Sequence, residues 1–555
     1  MKYAIGLICL VLSFISCKEE VQKPNFVFII ADDMYPDMFN NLSDSDTVNL
    51  TPNLDRLREE GVWFDNMKVV SPVCTPSRYN CLTGNYASRA TNRATLVGAK
   101  RAAGQIVIQW NNFIVPGKEK TMGTYFQNLG YKTGFVGKNH VVESTAQIGE
   151  KAKPDFNADI DDPEIIKGLE FRYRELQKDV MNCGFDYADG LYHNNPNWLG
   201  IKALITHNMD WVTEKGIEFI ELNKDDPFML YFATTLPHGP TSPNQSWRSD
   251  RRITPLGKLS SSPDVLPKHS GKLIEYYQKI VDEDPGLEPS VKNYISIHNR
   301  IKAAKVTAKN RNNLLWMDDA IGALFDKLQE ANVLDNTIIV FFNDHGQELK
   351  GTLYEGGVHS QAFMWKQGGF GVGSIMEEPV SNVDFLPTLL DLAGDENNLD
   401  NFDGYSFKNA LDGKPYNERS SMYYELGYAR ALVKDGFKYY AVRHPEWSMN
   451  LTFEQRKSML EKQNVLKKNF GLPLLTADPM APFGQLVLIP GGEAVEAPGY
   501  TSVPGYFDAD QFYDLKNDPG ECHNLIDDPT YKDKIAELKE ELRKQLANLP
   551  GTFDL

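Results

Sequence analysis

Cysteine is scarce in this chain: Cys9, Cys17, Cys74, Cys81, Cys183 and Cys522 are spread over 555 residues. That spacing excludes a disulfide framework as the source of stability, although one pair can still close. Long apolar runs are missing too. Lys2 precedes an apolar run over 5–15 that is too short to favour a membrane-spanning helix, and nothing further along reads as transmembrane. Positive charge is in deficit: 58 Lys and Arg stand against 75 Asp and Glu, a net charge of −17. This excludes nonspecific nucleic-acid binding, and an anionic substrate would need a local basic pocket because the protein as a whole does not attract it. Internal repeats and low-complexity tracts are absent, which excludes a repeat array.

What remains is an ordinary globular composition, 41% hydrophobic and 24% charged, in a chain long enough for one large domain and a smaller one. Residues 1–17 read as a targeting segment. Phe14-Ile15-Ser16-Cys17 is similar to a bacterial lipobox, which makes Cys17 an N-palmitoyl, S-diacylglycerol cysteine and 18–24 a short tether to the membrane. A plain secretory signal peptide is the other reading. Either way the mature protein is exported.

Several buried strands are predicted, and each delivers polar residues at its carboxyl end, where open α/β sheets gather ligands. The run 25–31 ends in Asp32-Asp33, a pair that a hard divalent cation would explain. The strand 133–137 ends in Lys138-Asn139-His140. The strand 227–233 leads to Leu236-Pro237-His238-Gly239-Pro240, a histidine on a stiff turn suited to an acid or base. The strand 336–342 ends in Asn343-Asp344-His345-Gly346, and a glycine-rich loop around Lys350 follows. Helices are predicted near 51–60, 121–129, 163–181, 208–222, 310–331 and 529–546. Residues 141–205 otherwise read as irregular, 422–442 as one antiparallel hairpin turning at Lys434-Asp435-Gly436, and 466–508 as a packed functional loop.

One cysteine stands apart. Cys74 lies in Ser71-Pro72-Val73-Cys74-Thr75-Pro76-Ser77-Arg78, followed by Leu82-Thr83-Gly84. Read bare, it is a nucleophile activated by a cation or a helix end, or else a small buried hydrophobe. Cys-x-Pro-Ser-Arg followed by Leu-Thr-Gly resembles the maturation motif of the formylglycine-dependent sulfatases. The blocks at Asp32-Asp33, Gly137-Lys138-Asn139-His140, Pro237-His238-Gly239-Pro240, Asn343-Asp344-His345-Gly346, 350–357 and 513–519 stand in that family's order, so the resemblance runs over about 24–530.

The resemblance implies an α/β, alkaline-phosphatase-like sandwich with a large mixed central sheet. A smaller C-terminal α+β subdomain with an antiparallel sheet would follow, dividing the mature chain into 25–405 and 406–555. It implies that a maturation enzyme oxidises Cys74 to formylglycine (3-oxoalanine), whose hydrate is the nucleophile. Asp32, Asp33, Cys74 and Asp344 would bind one calcium ion. His345, where the family has Asn more often than His, joins them as a poorer ligand for a hard cation. Arg78, Lys138 and Lys350 would neutralise sulfate oxygens, His140 would serve the formylglycine, and His238 the leaving group. Two departures, Asn139 for an aromatic and His359 for an arginine, bear on packing or selectivity.

The implied substrate is a sulfated carbohydrate such as ulvan, carrageenan, fucoidan or a glycosaminoglycan. Subsites would be built by 85–115, 141–205, 241–300 and 466–508, with Arg89, Arg93, Trp110 and His193 as contacts. A phosphoesterase or phosphonate hydrolase of the same superfold is an alternative reading, and an unmatured glycan-binding surface lipoprotein another.

Overall fold

Sixteen strands occur among the described residues, and eight of them form one sheet. These are β1 (Asn25–Asp32), β2 (Val62–Phe64), β4 (Lys132–Lys138), β5 (Tyr187–Tyr192), β6 (Phe228–Pro237), β9 (Thr337–Asn343), β10 (Ala362–Lys366) and β11 (Ser374–Met376), in the order β11-β2-β10-β9-β1-β6-β4-β5. The computed structural model describes residues 22–35, 38, 51–144, 155–240, 250–266, 313–395, 397–416, 419–469 and 475–555. The targeting segment 1–17, most of the tether and most of 241–300 lie outside them. No helix among the described residues is long and apolar enough to cross a membrane.

β1 is polar only at its ends and buried throughout, as a strand paired on both edges and covered on both faces must be. It runs parallel to β6 and β9, and β4 runs parallel to β6 and β5. The register sets Ala31 beside Asn343, Asp32 beside Pro237, and Lys138 beside Tyr192. The carboxyl ends of five parallel strands therefore open on one edge. β10 turns back antiparallel to β9, which makes the sheet mixed.

Helices close both faces. Phe28 and Phe342 meet Phe385 of helix Phe385–Leu392, and Phe26 meets Phe126 of helix Met122–Asn128. On the other face, helices Met209–Asn223 and Leu314–Glu330 pack together, with Phe219 against Phe228. Helix Pro163–Met181 has the predicted ends. Thr121 caps Met122–Asn128 through a reciprocal pair of hydrogen bonds with Thr124, which is why that helix starts where its sequence suggests.

Three expectations change. The stretch 141–205, read as irregular apart from one helix, also supplies β5, whose alternation Tyr187-Ala188-Asp189-Gly190-Leu191-Tyr192 suits an edge position. The predicted hairpin is a meander of β13 (Met422–Leu426), β14 (Ala429–Lys434) and β15 (Phe437–Val442), to which β16 (Asp510–Asp514) adds. It turns at Gly427-Tyr428 as well as at Asp435-Gly436, where both φ values are positive. The 466–508 stretch includes the end of a helix, Phe453–Asn469, whose weak apolar periodicity concealed it. Two short ribbons, β3 (Met67–Lys68) with β12 (Val380–Ser381) and β7 (Ile253–Thr254) with β8 (Gly257–Lys258), complete the strands.

Candidate active site

Cys74 opens helix Cys74–Thr83, and every residue of that helix is buried. A helix apolar or satisfied on all sides belongs in the interior. Ser77 binds the Asp344 carbonyl, and Asn382 reaches the Ser77 hydroxyl at 3.0 Å and carbonyl at 3.2 Å. The helix start is thereby fastened to the end of β9. Gly84, at φ 67°, ends the helix in the left-handed region and bonds Asn80 O.

Around Cys74 the strand ends converge. Its Sγ lies 3.3 Å from Asp32 Oδ1, 3.5 Å from His345 Nε2 and 3.7 Å from Lys350 Nζ. Arg78 Nη2 contacts Asp32 at 3.4 Å and Asp344 at 3.2 Å, and Lys138 pairs with Asp32. Asp33 receives Lys350 at 2.6 Å, His345 at 3.2 Å and His238 at 3.3 Å. Three buried carboxylates thus meet three cations. The side chains balance one another, and a bound dication would leave the pocket positive.

One ligand atom from each of Asp33, Cys74, Asp344 and His345 lies within 4.8 Å of the others. Two carboxylates and an imidazole suit a divalent cation, and an oxygen at position 74 would suit it better than a thiol. Asp32, also expected among the ligands, places Oδ1 3.3 Å from the Cys74 Sγ of this set and is held by Lys138 and Arg78.

Burial dominates the electrostatics. It pushes the Cys74 thiol well above its ordinary range, and the charge of Asp32 adds to the effect. The unmodified cysteine is therefore a protonated thiol, against the reading of an activated thiolate. Burial alone would raise Asp32 and Asp33 as well. For Asp32 it is outweighed by Lys138, His238 and Arg78, and for Asp33 by His238 and Lys350, so both are held down. Asp344 is raised by burial despite His345. Burial, then Lys138, holds His140 well below the ordinary imidazole value, so it is neutral.

The backbone is strained at two of these points. Asp33 sits at φ 68° and His140 at φ 47°, conformations a non-glycine residue adopts only when its surroundings enforce them. For His140 one enforcing contact is a backbone hydrogen bond: its N–H donates to His193 O at 2.9 Å. Asn139 binds both the N–H and the carbonyl of Val142 at 3.0 Å. The departure at Asn139 is therefore a turn clamp. His140 Nδ1 is buried with no hydrogen-bond partner among the described residues. Gly346 needs its hydrogen, since a Cβ would meet the carbonyl oxygens of His359, Gly356 and Gly357 at 2.5–2.7 Å.

Other sequence candidates land elsewhere. Arg89 is not offered to a substrate: it grips both carboxylate oxygens of Asp403 at 2.7 Å and Asn548 O at 3.1 Å. Arg93 is exposed at the start of helix Arg93–Arg101, Trp110 packs on the core, and His359 bonds Asp65 O at 3.0 Å. Cys74, Cys81, Cys183 and Cys522 are all free. His193 follows β5 beside His140. Sequence reading missed Asn195, whose Nδ2 lies 3.0 Å from His238 Nε2, and Asn313, which donates to His238 O at 3.1 Å and Pro240 O at 3.2 Å. Recognising β5 would have brought Asn195 in, because it lies just past that strand's carboxyl end.

Comparison with known proteins agrees with this geometry. The family model described as Sulfatase matches residues 24–395. An ulvan-active sulfatase of Formosa agariphila is 25% identical over 576 residues, covering 99% of this chain and 88% of its own. A solved structure in complex with its substrate D-glucosamine-2-N,6-O-disulfate superposes with a TM-score of 0.53 at 19% identity, covering 95% of this chain and 98% of that one. A phosphonate monoester hydrolase of Agrobacterium radiobacter superposes with a TM-score of 0.53 at 16% identity, covering 96% and 97%. The fold is the alkaline-phosphatase-like one.

Proposed function

The chain belongs to the sulfatase family and is a sulfuric ester hydrolase, and from that premise we propose that it removes sulfate from a sulfated polysaccharide or its oligosaccharides, using formylglycine at position 74 and calcium. The observation that carries this reading is the meeting of Cys74, three cationic side chains and a four-atom ligand cluster at one edge of parallel strands. Relatives that act on ulvan and on a sulfated glucosamine support the carbohydrate class.

Calcium would be held by Asp33, Asp344, His345 and position 74, together with Asp32, whose Oδ1 lies 3.3 Å from Cys74 Sγ; it would supply charge neutralisation, and the hydrated formylglycine would supply the attacking oxygen together with a second hydroxyl for releasing sulfate. The chain's own groups do the rest. Arg78, Lys138 and Lys350 offset the charge on the sulfate oxygens. Asp32 holds the first two of these cations in place. His140, kept neutral by burial, takes a proton from position 74 when sulfate leaves. His238, fixed by Asn195 and Asn313, gives one to the departing alcohol with help from Lys350. A chain lipid-anchored through Cys17, with a catalytic unit over 25–405, would present this site to large extracellular glycans.

The test is free sulfate release from a panel of sulfated oligosaccharides by protein co-expressed with a formylglycine-generating enzyme, beside Cys74→Ala. Paired aryl sulfate and aryl phosphate run in parallel, since the same fold serves phosphonate hydrolysis. Release from one sugar linkage, lost in Cys74→Ala, is expected. Converted protein that cleaves only the phosphate would sink the reading.

A further inference from the structure

A cavity of about 330 Å³ lies outside the catalytic pocket. It opens between β3, the short helix Glu355–Val358 and the meander, and none of the residues gathered around Cys74 lines it. Its size is that of a small-ligand site, a class that runs from roughly 300 to 1,000 Å³. Met422, Val433 and Leu515 give it apolar walls, and polar groups share the same lining.

All five charged side chains in that lining have partners. Lys68 pairs with Glu355 at 2.6 Å within the wall itself. Arg419 pairs with Asp384, Lys434 with Glu537 at 3.1 Å and Asp435 with Lys534 at 2.7 Å. The charges are balanced locally, so the cavity holds no unmatched charge for a free ion. What it offers is an ammonium donor and a carboxylate acceptor side by side, each with hydrogen-bonding capacity beyond one ion pair. Ser421 adds a hydroxyl to the lining. Tyr424 adds another: the residue is 1% exposed, and its hydroxyl is buried with no hydrogen-bond partner among the described residues. Leaving a buried hydroxyl unpaired is costly, so one in a cavity wall marks a place where a ligand atom can complete the bond.

We propose that this cavity is a non-catalytic carbohydrate site, which holds one sugar unit of the polysaccharide away from the sulfate being cleaved. A sugar hydroxyl accepts from Lys68 and donates to Glu355, a neighbouring hydroxyl meets Tyr424 or Ser421, and the C–H face of the ring lies on the apolar walls. The carbohydrate class rests on the proposed function, whereas the binding itself needs no catalysis.

The test uses Cys74→Ala protein and saturation-transfer NMR with galactose, glucose, xylose, rhamnose and N-acetylglucosamine as probes. At least one is expected to bind, with an affinity that changes less than about twofold between low and high salt, because no ion pair with the ligand is involved. Ser421→Trp, which fills the cavity, weakens that binding at least about tenfold. Tyr424→Phe, which removes only the hydroxyl, weakens it about threefold to tenfold. In the matured enzyme Ser421→Trp lowers kcat/KM on a sulfated polysaccharide about tenfold and leaves that on an aryl sulfate unchanged, since only the polymer occupies both sites at once. Should Ser421→Trp fail to fold, Tyr424→Phe decides alone. The proposal is overturned if no probe binds, if binding is the same in both variants as in the parent, if salt abolishes it, or if polymer and aryl sulfate activities fall together. Failure of the sulfatase reading shows separately, as no sulfate from any ester while sugar binding by the Cys74→Ala protein is still measured.

Discussion

Two clusters of buried charge lie at opposite ends of the segment 350–358. At one end Lys350 enters the pocket around Cys74. At the other, Glu355 pairs with Lys68 at 2.6 Å and Lys438 at 2.9 Å, while Glu521 binds Lys438 at 2.6 Å and the Glu355 N–H at 2.7 Å. Both clusters are largely buried, both hold opposite charges at contact distance, and in both burial shifts the carboxyls. The second has burial raise Glu521 to about 7. The difference is where the groups point. Lys438 also donates to Leu353 O at 3.0 Å, so this cluster closes on itself and pins a loop. The cluster at the strand ends gathers four ligand-type atoms within 4.8 Å, the Cys74 sulfur among them, and His140 Nδ1 has no hydrogen-bond partner among the described residues. Perturbed, buried charge marks both; convergence of metal-ligand-type atoms with a cysteine marks only the candidate active site.

The comparison can be broken most decisively at Cys74. Cys74→Ala is expected to lower sulfate release by about 10⁴-fold or more, while the melting temperature stays close to wild type, because the nucleophile is lost and no charge is orphaned. Parallel rate and melting measurements check both halves. Next in size is metal removal. Stripping the matured protein with a chelator should cost about 10³-fold in rate, restored by calcium, and Lys438→Met should show the same metal requirement. A metal requirement altered by Lys438→Met would mean the two clusters are one.

Lys438→Met itself should act on stability. It leaves Glu355 and Glu521 facing each other in a largely buried site, at a cost of about 3–5 kcal/mol in denaturant unfolding, with the rate per folded molecule changed by less than about threefold. The smallest effect concerns a third buried acid, Glu496, which accepts from Leu486 N at 2.7 Å and from the Tyr506 hydroxyl. Burial pushes it from an ordinary 4.5 up to about 7. The folded state keeps a proton that the unfolded chain gives up first. Its stabilising contribution is therefore full below pH 4.5 and is lost as pH rises to about 7, up to about 3 kcal/mol. Glu496→Gln, always neutral, should flatten that dependence. Melting curves of both proteins at pH 5 and pH 8 measure it.

Much of the catalytic pocket was legible because its residues sit at the ends of apolar runs. Asp32, Lys138 and Asp344 each follow a run that can only be a buried strand, so their placement at one edge follows from parallel pairing. His238 was legible through its two prolines, though β6 reaches Pro237 and delivers it directly. Asn195 was not legible, because β5 is short and interrupted by Asp189 and Gly190. Arg89 looked available in sequence, since nothing local announces Asp403, 314 residues away. Helix Phe453–Asn469 escaped for the opposite reason, lacking the apolar stripe by which a helix is recognised.

Sequence by itself determined the parts that are local: where the buried strands run, which polar residues end them, and that Cys74 begins a motif with an arginine one helical turn on. Only the tertiary structure decided the parts that depend on partners far along the chain. It set Asp32 between cations and beside Cys74, kept the Cys74 thiol protonated, and made His140 neutral. The physical reason is that periodicity is written within a few residues. Desolvation and charge pairing depend on what comes to lie against a group, which here is set by strands hundreds of residues apart.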